Sequence, residues 1–133
     1  MDTWHATRPF WWGIVLLMDR DATDVPEATG SVVSSSDSGV AIKVLHAQDV
    51  DLGAAPSGAG VPTALVSVRI RIGVTPPPGI ATAARIDVPS GVLTVGDAEQ
   101  EHALEIGPGR WVVHVDCAPA EFAETVDIWL QKV

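Results

Sequence analysis

A two-residue hydrophobic period recurs from one end of this chain to the other, and it limits the fold more than any other feature. It is clearest at Thr63–Ile72. There Ala64, Val66, Val68, Ile70 and Ile72 share one phase, and Thr63, Ser67, Arg69 and Arg71 share the other, with Leu65 the exception. Successive side chains of an extended chain point to opposite faces, so this alternation makes one apolar and one polar face. A helix would scatter the same residues around its axis. The pattern returns in Gly39–Ala47, where Val40, Ile42 and Val44 oppose Lys43. It returns again at Ala84/Ile86/Val88, His102/Leu104/Ile106, Trp111/Val113/Val115 and Val126/Ile128/Leu130. Phe10–Met18 is apolar in both phases and predicts a strand covered on both faces.

The connections carry matching turn chemistry. Pro76-Pro77-Pro78-Gly79 cannot lie inside a helix or a central strand. As a hairpin it would join the Arg69/Arg71 strand to the Arg85 strand and set the three arginines on neighbouring outward faces. Gly96-Asp97 and Gly107-Pro108-Gly109 read as tight turns around Glu101–Ile106. Ser34-Ser35-Ser36-Asp37-Ser38 reads as a hydrophilic edge or turn, residues 48–62 as the longest loop, and Pro119–Ala123 as at most one helical turn. The expected fold is all-β: one domain over residues 1–133, an antiparallel β-sandwich of about eight or nine short strands, with a barrel as the alternative closure.

Composition excludes several function classes. The chain has 133 residues, 47% of them apolar, enough for one domain with its own core. Its longest apolar run, Phe10–Met18, is far short of the ~20 residues of a spanning helix. Only Arg8 lies as a cation shortly before that run, and no small-residue cleavage pattern follows it, so a secretory signal is not expected. One cysteine, Cys117, excludes an internal disulfide and fits a cytoplasmic protein. A net charge of −9 argues against nucleic acid as a ligand, because phosphates require neutralising cations. An acidic surface can instead steer a basic protein partner.

Catalytic chemistry finds little support. No Gly-x-Ser-x-Gly elbow and no Walker lysine occur. His114 and Cys117 are three residues apart on a strand and therefore face opposite ways. His5, His46, His102 and His114 fall on four separate segments without metal-ligand spacing. Asp19, Asp21 and Asp24 resemble a calcium loop only loosely, since the EF-hand pattern requires glycine and glutamate where Asp24 and Gly30 stand. The expectation is no catalytic residue, no metal and no cofactor.

The tryptophans are more informative, at five against no tyrosine. Trp111 is in the apolar phase of its strand. Trp129 is in the polar phase, and the adjacent Trp11 and Trp12 point to opposite faces. An outward tryptophan can anchor a partner. With the acids of the outward phases, the expected partner-contacting set is Trp11, Trp129, Glu101, Glu105 and Asp127.

The segments Ile86–Leu93, His102–Val115 and Thr125–Gln131 give a strand, an acidic turn, a strand closed by Pro-Gly, and a last strand with Trp-Leu. This order resembles the ComJ-like competence proteins and a broad group of small, uncharacterised β-sandwich proteins of actinomycetes. Phe10–Met18, Ala28–Ser36 and Gly39–Ala47 fall where such chains also have strands. The resemblance implies the same architecture and an activity of binding and inhibiting a partner nuclease, with no partner-contacting residue matched. The expected function is therefore a non-catalytic cytoplasmic module that binds a protein partner, an inhibitor or immunity-type antagonist, with no nucleic-acid or membrane ligand. A small-molecule or carbohydrate-binding sandwich stacking ligands on Trp11 and Trp129, or a structural subunit that self-associates through Phe10–Met18, are the alternatives.

Overall fold

The computed structural model describes residues 3–10, 12–23, 25–26, 32–46, 64–80, 82–97, 100–119 and 122–133. Its elements are ten strands: β1 (Thr3–Arg8), β2 (Ile14–Asp19), β3 (Val33–Ser36), β4 (Gly39–Lys43), β5 (Val66–Ile72), β6 (Thr82–Val88), β7 (Val92–Gly96), β8 (Glu101–Glu105), β9 (Gly109–Ala118) and β10 (Thr125–Lys132). They form two five-stranded sheets, β1-β5-β10-β9-β6 and β3-β4-β2-β7-β8. Two sheets sharing one core make a sandwich, not a barrel.

Register follows the hydrophobic period. In the first sheet Val126, Ile128 and Leu130 lie beside Val68, Ile70 and Ile72 on one side and Cys117, Val115 and Val113 on the other. In the second, Leu17 lies between Val40 and Val95, and Val15 beside Ile42. Most of these inward residues, with Phe10, Ile86, Leu93 and Trp111, form a single buried cluster drawn from both sheets, and half-buried Ile72, Val115 and Cys117 pack against it. A one-residue slip in any strand would turn its apolar set to water.

Four sequence expectations need correction. Among the described residues there are ten strands against the expected eight or nine; the inward phase of β1 is Trp4, Ala6 and Arg8, too mixed to read as an apolar face. Phe10–Met18 is not one strand. Phe10 is fully buried, a turn at Trp12-Gly13 follows, with the Gly13 N–H on the Phe10 carbonyl at 3.0 Å, and β2 starts at Ile14. Within β2 the two-sided covering is real, since Val15 and Leu17 face the core while Met18 is buried at the other face, close to Gly39 and Pro26. The third correction is that Pro76–Gly79 does not turn a hairpin. β5 is paired in parallel with β10 and antiparallel with β1, so the connection to β6 must pass β10 and β9. Arg69 and Arg71 are thus two strands removed from Arg85. Neither is Pro119–Ala123 helical in its described residues: Phe122 has φ of 53° and Ala123 bridges Val44.

Two polar devices lock the ends. Asp19, buried at the end of β2, accepts the Asp21 N–H, the Ser90 N–H and the Ser90 hydroxyl, the last at 2.6 Å. That ties β2 to the β6–β7 turn. At the opposite end Arg8 of β1 donates to Asp97 of the β7–β8 turn at 2.9 Å, with the Asp97 side chain 2% exposed. The same guanidinium stacks over the Phe10 ring, 4.3 Å from its centroid. This pair links the first sheet to the second through buried charge. Breaking one partner of such a pair costs about 3–5 kcal/mol, because the other charge is left dry. We therefore expect Asp97→Ala to lower unfolding free energy by that amount in urea, and Arg8→Met with Asp97→Leu together to cost clearly less. Equal losses would show that the pair is not desolvated.

Candidate partner-binding surface

Among the described residues the sandwich is closed along one side and open along the other. On the closed side the Asp87 N–H of β6 donates to the Asp37 carbonyl in the β3–β4 turn at 2.8 Å, joining the sheets through backbone. On the open side the edge strands β1 and β8 stand opposite each other. Trp4 and His102 meet there, ring centroids 5.4 Å apart and tilted by 53°. Around that contact lies a groove of about 350 Å³ lined by Trp4, Ile72, His102, Ala103, Leu104 and Glu105.

β8 supplies this groove with both phases of its alternation. Leu104 is buried, while Glu101, Ala103 and Glu105 are exposed. Two of the acids expected to meet a partner, Glu101 and Glu105, therefore lie on one edge strand and one face of it. Asp127 lies elsewhere, on the outward face of β10, where it accepts Arg71 at 3.0 Å. Trp11 lies outside the described residues.

Trp129 requires a correction. It is indeed outside the inward core cluster, yet only 6% exposed. The Arg71 guanidinium sits 5.2 Å from its ring centroid, and Gln131, two residues on, donates to Thr75 Oγ1 at 3.3 Å. The crossing connection thus lies on the outward face of β10, beside Trp129. His114, its cross-strand neighbour, is buried there too, with Nε2 3.0 Å from Gln131 Oε1. Trp129 is not an accessible stacking platform, because alternation reports which face a residue takes and not what later crosses that face.

The exposed aromatics are others. Trp12 is 61% and Phe122 66% exposed, and Leu65 is exposed as well. They stand beside residues brought together at one end of the sandwich: Gly13 accepts from Val44, Leu45 donates to Ala123, and Ser67 donates to Glu124. Reading Phe10–Met18 as one strand passed over Gly13, the residue that marks the turn, and Phe122 had no period to reveal it. The Arg8–Asp97 pair and the start of β8 belong to this same end.

Cys117 faces inward beside the core, away from His114. Burial first, and the neighbouring Asp116 carboxylate second, push its thiol up to about 11. Both favour the neutral thiol over the nucleophilic thiolate. Among the described residues no group of three His, Cys, Asp or Glu side chains is placed to hold a metal ion. Asp19, first of the three aspartates considered for calcium, has its oxygens engaged by Asp21 and Ser90, and Asp24 lies outside the described residues.

Comparison with solved structures finds this architecture elsewhere. One match is ComJ of Bacillus subtilis, described as an inhibitor of the DNA-degrading activity of NucA, at TM-score 0.61 and 10% identity over 98% of this chain and 97% of that one. The chain has the fold of ComJ. The product of crocagin biosynthetic gene J also matches, at TM-score 0.55 and 14% identity over 98% and 96%. No protein-family model and no curated protein sequence matches. At such identities the likeness is one of fold, and the ComJ architecture, spanning both chains nearly end to end, carries no residue-level correspondence.

The protonated state of Cys117 gives a direct test. At pH 8 a thiol near 11 is ionised roughly two hundredfold less than one near 8.5, so iodoacetamide should label the native protein at least that much more slowly than the urea-unfolded chain. Equal labelling rates would mean that the thiol is neither buried nor raised.

Proposed function

We propose that this protein is a non-catalytic, cytoplasmic antagonist that works by binding a protein partner, with a nuclease the leading class of target. The observation that carries the reading is the end of the sandwich where Trp12, Leu65 and Phe122 are exposed together on an otherwise acidic domain. Large aromatics held out of a core by tight turns are poor for solubility and good for anchoring, which is the composition of binding hot spots. Phe122 adds a further sign, since a non-glycine residue in the left-handed region is costly and concentrates at functional positions. The fold shared with an inhibitor of a nuclease supports the choice of target class. The charge of −9 suits a basic target surface, accelerating encounter at low salt.

The carbohydrate-stacking alternative loses its main residue with the burial of Trp129. The structural-subunit alternative loses Phe10, Val15 and Leu17 to the core.

The test is reconstitution. A nuclease encoded beside this gene, or captured with it from the native host, is purified and its DNA cleavage followed as this protein is added. Cleavage should fall to baseline near equimolar protein. Trp12→Ala with Phe122→Ala should raise the concentration needed at least tenfold while moving the melting temperature little, since exposed side chains contribute little to stability. A stable complex that the double variant leaves untouched would remove this end of the sandwich from the interface. Absence of any stoichiometric protein complex would overturn the reading itself.

A further inference from the structure

The free edge of β8 specifies more than an acidic surface. In the β7–β8 hairpin the Asp97 N–H donates to the Gln100 carbonyl at 3.0 Å and the Ile106 N–H donates to the Gly91 carbonyl at 2.9 Å. The register between them pairs Val95 with His102 and Leu93 with Leu104. Hydrogen-bonded and non-bonded pairs alternate along an antiparallel ladder, so the backbone groups of His102 and Leu104 face β7. Those of Glu101, Ala103 and Glu105 face away from it. Among the described residues no strand lies on that side, since β8 ends its sheet.

Edge strands in stable monomers are commonly blunted by short length, charged side chains, proline, a bulge or a covering segment, and of these β8 has its short length and its two glutamates. β8 has neither proline nor lysine, and its pairing with β7 is regular over all five residues. Its two charged residues are both acidic, share one phase, and lie four positions apart. That spacing selects the occupant. A second copy adding antiparallel about Ala103 would set Glu101 against Glu105 twice, and like charges directly opposite are destabilising. A strand with cations at those two positions would meet opposite charge twice. Of its three intervening residues the first and third would point the other way, with His102 and Leu104, toward the groove lined by Trp4 and Ile72.

We propose that β8 is a docking edge for an extended segment of the protein partner, bearing Lys or Arg at two positions four residues apart with apolar residues at the alternate positions between them. Main-chain hydrogen bonds to Glu101, Ala103 and Glu105 supply the attachment, the two glutamates select the cations, and the groove takes an apolar side chain. This deepens the antagonist reading and rests on it for the claim that the segment belongs to the target.

The probes are synthetic nine-residue peptides titrated against the whole protein, with binding read from amide chemical shifts. One peptide carries Lys at its third and seventh positions and Val at its fourth and sixth. A second replaces both lysines by Glu, and a third is the lysine peptide N-methylated at its fifth residue. The lysine peptide should shift β8 resonances and bind at least tenfold more tightly than the glutamate peptide. Glu101→Lys with Glu105→Lys should reverse that order. N-methylation should weaken binding at least tenfold, since it removes a main-chain donor while keeping both charges. Failure of the lysine peptide to bind, equal affinity for both charge types, or indifference to N-methylation would each overturn strand addition at β8. A nuclease still inhibited by a protein that ignores these peptides would leave the antagonist reading standing. A β8 response to the peptides without any protein complex would have the opposite meaning.

Discussion

The parallel pairing of β5 with β10 is the constraint on which the rest of the arrangement depends. Parallel neighbours cannot be joined by a tight turn, and here the two strands are separated by most of the second half of the chain. Once Val68, Ile70 and Ile72 are set beside Val126, Ile128 and Leu130, β5 has one side left, and β1 takes it. β6 is then displaced to the far edge beyond β9, and the polyproline segment must cross the sheet to reach it. Two features follow. The outward face of β10 is crossed, which buries Trp129 and His114, and β1 becomes the edge opposite β8, with no strand closing that side among the described residues.

The same pairing marks where sequence reasoning succeeds and fails. Which residues face the core is a local property, and the period-two phase located Val66, Val68, Ile70, Trp111, Val113, Ile128 and Leu130 correctly. Which strands become neighbours is not local. The hairpin expected at Pro76–Gly79 failed because proline and glycine mark a break in regular structure without saying where the chain goes next. Trp129 had the right face and the wrong exposure for the same reason. β1 escaped notice because its inward phase ends in Arg8, a charge stabilised by Asp97, which is 89 positions away in the sequence. Buried ion pairs look like surface residues until both partners are placed.

The candidate binding features were legible to different degrees. Glu101 and Glu105 could be assigned to one outward phase from spacing alone. Their position on a sheet edge could not, because edge position depends on the complete strand order. Trp12 and Phe122 are exposed because Gly13 and Ala123 are held by backbone contacts to the segment after β4. The exposed aromatic end and the acidic edge meet near the β7–β8 turn, where the Arg8–Asp97 pair fixes the first sheet to the second.

Per-residue amide hydrogen exchange on the free protein tests this arrangement most directly. If β5 and β10 are paired at the centre of their sheet and the far side of β8 is open, Val68, Ile70, Val126 and Ile128 should exchange slowest. Along β8 protection should alternate, with His102 and Leu104 protected and Glu101, Ala103 and Glu105 exchanging at rates near those of an unstructured chain. Uniform protection of Glu101, Ala103 and Glu105, or rapid exchange through β5, would contradict it.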